Sequence, residues 1–118
     1  MGVQGVMVVR IAFPTGQGGL DDLIYPRFGR APTFTIVDVD ENTGNIINVQ
    51  VVQNPGAIAG SGAGVRAAQT LGELKVNVVA GPTPGPNAYA ALQYFGIKVI
   101  PLMGVKVRDA IRTVLQQL

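Results

Sequence analysis

The first half of the chain alternates β-branched runs with polar turns. Met7–Phe13 is apolar except for one arginine and ends at Pro14, which predicts a strand buried on both faces of a sheet. Thr33–Val39 and Asn45–Gln53 flank a short polar turn and predict an antiparallel hairpin. The second strand of this hairpin alternates apolar and polar side chains, which is typical of an edge strand: Ile47, Asn48, Val49, Gln50 and Val51.

From residue 61 onward the pattern changes to helices separated by short strands. Apolar positions at helical spacing predict three helices, over Gly64–Leu74, over Ala88–Phe95 and from about Val105 onward. Ser61 and Asn87 are the predicted N-caps of the first two, because their side chains accept hydrogen bonds from free backbone N–H groups. Two buried strands, Val76–Ala80 and Ile97–Pro101, lie between the helices.

The order of these elements predicts the topology. Strand–helix–strand crossovers are right-handed, so a sheet order of 3-2-1-4-5, with only strand 2 antiparallel, places the first two helices on one face. The third helix then covers the other face. The sequence therefore predicts one α/β domain of three layers, with a five-stranded mixed sheet and three helices.

Glycine and proline are concentrated rather than spread evenly. Most of the 16 Gly and 8 Pro lie in three stretches, residues 14–32, 54–64 and 81–86. Each stretch follows a strand of the same direction, so all three are expected at one edge of the sheet, where helices begin. Ligands of open α/β sheets bind at such an edge, and helix N-termini there favour anions. This edge is the predicted ligand site.

Composition narrows the function further. The 118 residues are 47% hydrophobic and 14% charged, which suits one folded domain. The chain has no Cys and no His, which excludes disulfides, zinc–thiolate sites, thiol nucleophiles and the commonest general base. A net charge of +2 from scattered basic residues argues against nucleic-acid binding. Without a membrane-spanning run or a signal peptide, we expect a cytoplasmic location.

The motif Arg27-Phe28-Gly29-Arg30-Ala31-Pro32 leads into the second strand at the predicted edge. Arg27 and Arg30 are able to donate forked hydrogen bonds to an anion, and Gly29 lets the backbone approach it. The alternative is structural: Phe28 closes the end of the core while the arginines pair with Asp21, Asp22 or solvent.

Two further glycine-rich motifs precede helices. Gly62–Ala67 matches G-x-G-x-x-A, but eight residues separate it from the preceding strand and no acidic residue follows at the required place, so a dinucleotide fingerprint is excluded. What remains is an anion-binding nest or, alternatively, close helix packing. Gly81–Asn87 is a proline-stiffened loop, either a pre-formed binding wall or an ordinary turn.

The carboxylates are placed away from this edge. Asp38, Asp40 and Glu41 fall near the hairpin turn at the opposite end of the sheet, and we interpret them as a solvated turn. A two-metal nuclease requires clustered acidic residues on the sheet, and none is predicted.

Together, R-F-G-R-A-P at 27–32, the segment 54–69 and G-P-N-A at 85–88 resemble the dinitrogenase iron-molybdenum cofactor biosynthesis family over Met7–Leu118. The resemblance implies a ribonuclease H-like three-layer fold. It also implies a non-catalytic carrier of an iron-molybdenum cofactor, its precursor or a related Mo or Fe–S cluster, with cluster donor and acceptor proteins as partners. The candidate cofactor-binding residues are Arg27, Phe28, Gly29, Arg30, Asn54, Gly60, Ser61, Gly62, Ala63, Gly64, Gly85, Pro86 and Asn87.

The chain departs from the family pattern in one respect. Some members attach the cluster through His or Cys, which this chain lacks, so backbone N–H groups and arginines are the expected contacts. The alternative function is a small-anion or nucleotide-binding regulatory module. We expect a monomer, or a weak homodimer paired through the third strand. Residues 1–6 are expected to be a dispensable N-terminal extension.

Overall fold

The computed structural model describes residues 7–118, and the predicted N-terminal extension at residues 1–6 lies outside this range. The elements, in chain order, are β1 Val8–Thr15, β2 Thr33–Asp40, β3 Ile46–Gln53, a 3₁₀ helix Pro55–Ile58, α1 Ala63–Glu73, β4 Val78–Gly81, α2 Pro86–Tyr94, β5 Lys98–Pro101 and α3 Val107–Gln116. The short 3₁₀ helix is not foreseen by the periodicity.

The sheet has the predicted order, β3-β2-β1-β4-β5. β2 pairs antiparallel with both β1 and β3, whereas β4 pairs parallel with β1 and β5. β1 does not stop at Pro14: that residue and Thr15 continue the ladder opposite Phe34 and Thr33. A proline ring fixes a φ that is compatible with extended backbone, so the strand passes through it.

Two separate apolar cores cover the faces of the sheet. On one face, α1 and α2 pack against the strands through Ala12, Phe34, Ile36, Ala67, Ala68, Leu71, Val79, Ala88 and Leu92. On the other, α3 packs through Val9, Ile11, Phe13, Val37, Val39, Ala80, Ile100, Val107, Ala110, Ile111 and Val114. The predicted three-layer arrangement is therefore confirmed.

The starts of α1 and α2 differ from the prediction. Gly62, in the left-handed conformation with a φ of 70°, is the N-cap of α1, and Gly85 is the N-cap of α2. Pro86 opens α2, because its fixed φ suits the first helical position, and this places Asn87 inside the first turn. Ser61 and Asn87 are therefore not caps, and neither helix has a side-chain hydrogen bond at its N-cap.

The start of α3 is closed by the chain itself. The backbone N–H of Val107 donates to the carbonyl of Asp22 at 3.0 Å, and that of Arg108 donates to Leu20 at 2.8 Å. The loop after β1 thus covers α3, whereas α1 and α2 keep open N-termini. Within the range 7–118, no helix has the length and apolarity needed to cross a membrane.

Candidate functional site

The three predicted motifs meet in one cleft at the carboxyl ends of β1 and β4. Residues 26–30, 62–65 and 82–88 line this cleft, which has a volume of about 460 Å³. The lining includes ten of the thirteen candidate residues: Arg27, Phe28, Gly29, Arg30, Gly62, Ala63, Gly64, Gly85, Pro86 and Asn87. The remaining three, Asn54, Gly60 and Ser61, do not line it.

The side chains and the helix N-termini of the cleft both contribute positive charge. Two arginines and no carboxylate belong to its lining among the described residues. The first turns of α1 and α2 open into it, and the first backbone N–H groups of a helix have no intrahelical acceptor. The earliest helical hydrogen bonds run from Arg66 to Gly62 and from Tyr89 to Gly85, so the preceding N–H groups have no intrahelical acceptor. In α2 these are the N–H groups of Asn87 and Ala88, because Pro86 has none. The arrangement favours an anion.

The two arginines have different surroundings. Arg27 is exposed, and its side chain makes no hydrogen bond within residues 7–118. Arg30 is half-buried, and its Nη1 donates to the carbonyls of Ala59 at 2.6 Å and Ala57 at 3.3 Å. Arg27 is therefore available to a ligand, whereas Arg30 already donates hydrogen bonds to the backbone of residues 57 and 59.

Neither arginine of this motif pairs with Asp21 or Asp22, although the exposed Arg27 does face solvent, as the structural alternative also allows. Asp21 pairs instead with Arg108, with its Oδ1 2.9 Å from Nε. Asp22 accepts backbone N–H groups of Gly16 at 3.0 Å and Gly18 at 2.8 Å, which fixes the loop after β1. The interpretation is correct for Phe28, which is buried with its ring centroid 5.5 Å from that of Phe34.

Asn54 positions the site without lining it. Its buried side-chain amide donates to the carbonyls of Ala31 at 2.8 Å and Gly29 at 3.2 Å, while its Oδ1 accepts the N–H of Gly56 at 2.9 Å. These bonds join the Arg27–Pro32 motif to the 3₁₀ helix. Because its polar atoms are already paired, Asn54 supports the backbone of the cleft rather than facing a ligand.

The glycines of the cleft fall into two groups. A Cβ on Gly29 would lie 2.8 Å from the backbone nitrogen of Gly64, and one on Gly64 would lie 2.7 Å from the Cβ of Ala88. Both glycines are therefore required by packing, which for Gly64 is the alternative interpretation of its motif and for Gly29 was not predicted. At Gly62 the positive φ requires glycine, although the space around it is open. Gly85 has a φ of −63°, and a Cβ there would meet no atom within 4 Å, so the fold does not require glycine at this position.

Six residues of the cleft are not among the thirteen candidates, although three of them belong to the loop predicted as a possible binding wall: Pro26, Val65, Pro82, Thr83, Pro84 and Ala88. Thr83 is exposed and lies between two buried prolines, which restrict the backbone on both sides of it. The signal that identifies it is the spacing Pro-Thr-Pro, in which a lone polar side chain lies within a stiff loop.

Asp38 is not part of a solvated turn. It is buried, and its carboxylate accepts from Arg10 through Nε at 2.8 Å and Nη2 at 3.1 Å. The hydrogen bond that Arg10 donates to Asp38 raises the pKa of Arg10 above its ordinary value, against the opposing effect of burial. Arg10 Nη1 also donates to the carbonyl of Leu74 at 2.7 Å. The pair joins β1 and β2 to the end of α1, at the opposite edge from the cleft.

The side chains present do not suit direct ligation of a metal. The whole sequence lacks Cys and His. Over residues 7–118, no group of three or more metal-ligating side chains comes together. The donors of the cleft are instead N–H groups, which suit the oxo or sulfido surface of an anionic cluster rather than its metal ions.

Several known proteins are similar to this chain. The apo form of the orange protein from Desulfovibrio gigas is 37% identical, with a TM-score of 0.81 over 96% of this chain and 92% of that one. A NifB-like protein of the DUF35 family from Thermotoga is 32% identical, with a TM-score of 0.71 over 92% of this chain and 88% of that one. An uncharacterized protein of Methanocaldococcus jannaschii is 27% identical over 94% of this chain and 89% of its own length.

The resemblance seen in the three motifs extends over the domain. The sequence profile of the family described as dinitrogenase iron-molybdenum cofactor matches residues 7–117, from the start of β1 to the end of α3. The chain therefore belongs to the dinitrogenase iron-molybdenum cofactor family.

Proposed function

We propose that this protein binds an anionic metal cluster in the cleft and carries it without catalysing a reaction on it. The cargo is an iron-molybdenum cofactor, its precursor or a related Mo or Fe–S cluster. The observation that carries the proposal is the meeting of two uncapped helix N-termini and the free Arg27 in a cleft lined by no carboxylate among the described residues. The family match and the similarity to the orange protein support it.

The cargo is held by hydrogen bonds and charge. Arg27 donates in a fork to one edge of the cluster, and the first N–H groups of α1 and α2 donate to its oxo or sulfido atoms. The proline-stiffened loop 82–86 is ordered before the cargo arrives, which reduces the entropy lost on binding. Binding without thiolate or imidazole ligands is readily reversed, as a carrier between a donor and an acceptor protein requires.

Anaerobic titration with tetrathiomolybdate tests this proposal. The wild-type protein is expected to bind it at micromolar concentration, and Arg27→Ala to bind about tenfold more weakly, the loss of one charge-assisted contact. Arg112→Ala is the matched control, because it removes the same charge from α3 at the opposite edge, in the range Val107–Gln116. Metal analysis of protein purified without oxygen identifies the natural cargo.

Two results would contradict this assignment of the cleft. If the wild-type protein does not bind tetrathiomolybdate, or if Arg27→Ala and Arg112→Ala weaken binding equally, the cleft is not the cluster site.

A small-anion or nucleotide-binding module is the second candidate. The donors of the cleft are N–H groups and guanidinium, which suit phosphate as well as a cluster. Thermal stabilisation by inorganic phosphate or a nucleotide, with none by tetrathiomolybdate, favours this function over cluster carriage.

A further inference from the structure

A short segment beside the cleft is held in an unusual way. Residues 55–61, here called the strap, connect β3 to α1 and include the 3₁₀ helix. Its first end is fixed by Asn54 and by Gly56, where a Cβ would lie against the carbonyl of Ala63. Its second end is fixed by the start of α1 at Gly62. Ile58, between these ends, is 93% exposed.

Arg30 donates the long-range hydrogen bonds that hold the middle of the strap within the described residues. The carbonyls of Ala57 and Ala59 both accept from the same Nη1 atom. The other backbone hydrogen bonds of this part of the strap, from Ala57 to Asn54 and from Ala59 to Gly56, are local. A Cβ at Gly60 would have no atom within 4 Å. Besides the packing of the 3₁₀ helix against α1, the guanidinium is thus the side-chain tether of the strap within the described part of the chain.

Arg30 also belongs to the lining of the cleft. A guanidinium carries five N–H donors, and the two on Nη1 are used by the strap. The three on Nε and Nη2 make no hydrogen bond within residues 7–118 and remain for an acceptor in the cleft. One planar group therefore has donors both for the strap and for a bound anion.

We infer that Arg30 couples the cleft to the strap, so that an anion bound in the cleft stabilises the strap in the position that its hydrogen bonds to Arg30 define. This inference rests on the proposed function. An anion that accepts from Nε and Nη2 fixes the guanidinium plane, and a fixed plane keeps Nη1 directed at both carbonyls. By thermodynamic reciprocity, an ordered strap raises the affinity for the anion to the same degree.

The proposed coupling also affects an exposed surface of the strap, at Ile58. Ile58 lies on the strap and is exposed, so its position follows the state of the tether. The loaded and empty forms therefore differ at a surface beyond the cleft itself.

Proteolysis by elastase, which cleaves after small residues, measures the strap directly at Ala57 and Ala59. With saturating tetrathiomolybdate, cleavage of the wild-type strap is expected to slow by about fivefold or more. Arg30→Lys keeps the charge, but an ammonium group lacks the planar fork, so cleavage is expected to change by less than about twofold on anion binding. Without anion, Arg30→Lys is expected to be cleaved faster than wild type.

Two controls separate the possible causes. Arg27→Lys is expected to need a higher anion concentration for saturation. Once saturated, its strap is expected to be protected from elastase as in the wild type, because Arg30 still donates to Ala57 and Ala59. Thermal melting of each variant shows whether global unfolding contributes to cleavage, and a peptide substrate shows whether the anion inhibits elastase.

The outcomes separate the two proposals. Binding of tetrathiomolybdate to the wild-type protein with no slowing of strap cleavage overturns the coupling and leaves the carrier function standing. Equal cleavage of wild type and Arg30→Lys without anion also overturns it. Absence of binding in the wild-type protein overturns the carrier function itself.

Discussion

Gly64 and Gly85 both line the cleft, but packing prevents a side chain only at Gly64. Gly64 is required by packing, since any side chain there would meet Ala88 of α2. Gly85 has an ordinary backbone conformation and open space around it. Glycine therefore benefits the fold at the first position, and at the second it leaves room for a ligand against the backbone.

Gly85→Ser is expected to weaken anion binding without harming the fold. A serine N-cap accepts a hydrogen bond from the first turn of α2 and stabilises the helix by a few tenths of a kcal/mol relative to glycine. The same hydroxyl occupies N–H groups that the anion needs. We expect an unchanged or slightly raised melting temperature and roughly tenfold weaker binding of tetrathiomolybdate by calorimetry.

Gly85→Ala separates space from hydrogen bonding, because it adds a methyl group without a hydroxyl. Wild-type affinity in both variants would show that nothing binds against Gly85. The matched packing variant, Gly64→Ala, is expected to lower the melting temperature.

Single residues also show what sequence patterns leave open. Asp38 stands beside a polar turn, and its neighbour Asp40 does accept a turn N–H from Asn42. Which of the two is buried depends on Arg10, which is opposite Asp38 in the β1–β2 register. The sequence contains this partner, but 28 residues away, and only the pairing of the strands brings them together.

At the scale of elements, periodicity predicts which helices and strands exist but not how the helices begin. Ser61 and Asn87 are good capping residues by type. Gly62 and Pro86 nevertheless set the starts of α1 and α2, through a positive φ and a fixed φ respectively. This error matters for function, because side-chain caps would occupy N–H groups that are instead open to the cleft.

The loop between β1 and β2 also divides into two parts that the sequence does not distinguish. Residues 16–25 cover the start of α3, and residues 26–30 line the cleft. Asp22 organises the first part by accepting three backbone N–H groups, from Gly16, Gly18 and Leu23.

Asp22→Ala is expected to destabilise this loop and the cap on α3. It removes the acceptor of three backbone donors, and we expect a loss of about 1–3 kcal/mol in the free energy of unfolding, measured with urea. The adjacent Asp21→Ala is the control, because Asp21 makes only an exposed ion pair with Arg108. If the two variants are equally stable, Asp22 does not organise the loop.

The stability that the Asp21–Arg108 ion pair contributes is expected to depend on pH. The hydrogen bond and charge of Arg108 lower the pKa of Asp21 in the folded protein. The contribution of the pair is therefore present above the ordinary pKa of an aspartate, and it is lost as the pH falls through the lowered value. High salt is expected to remove it at every pH, because the pair is exposed.

At the scale of the whole molecule, the predicted sheet order is confirmed, and for that order crossover handedness correctly divides the helices between the two faces. Strand direction follows from the succession of elements, because the hairpin reverses β2 and the crossovers keep β4 and β5 parallel to β1. The same reasoning placed the glycine-rich stretches at one edge, and ten candidate residues do line one cleft there. It did not predict that the start of α3 is closed while α1 and α2 remain open, because backbone contacts of a loop decide this.

The proposed function depends on one location, the cleft at this edge. The opposite edge of the sheet carries a second cavity of about 460 Å³ between the β2–β3 turn and α3, with Glu41, Arg108 and Arg112 in its lining. Size alone therefore does not distinguish the two. The uncapped helix starts, and a lining without carboxylates among the described residues, favour the first.

The most direct test is an anaerobic titration of isotope-labelled protein with tetrathiomolybdate, followed by amide chemical shifts in two-dimensional NMR spectra. Binding in the cleft predicts saturable shifts centred on residues 27–30, 62–65 and 85–88. Shifts centred on the 41–46 turn and α3, or no saturable shifts at all, would contradict it.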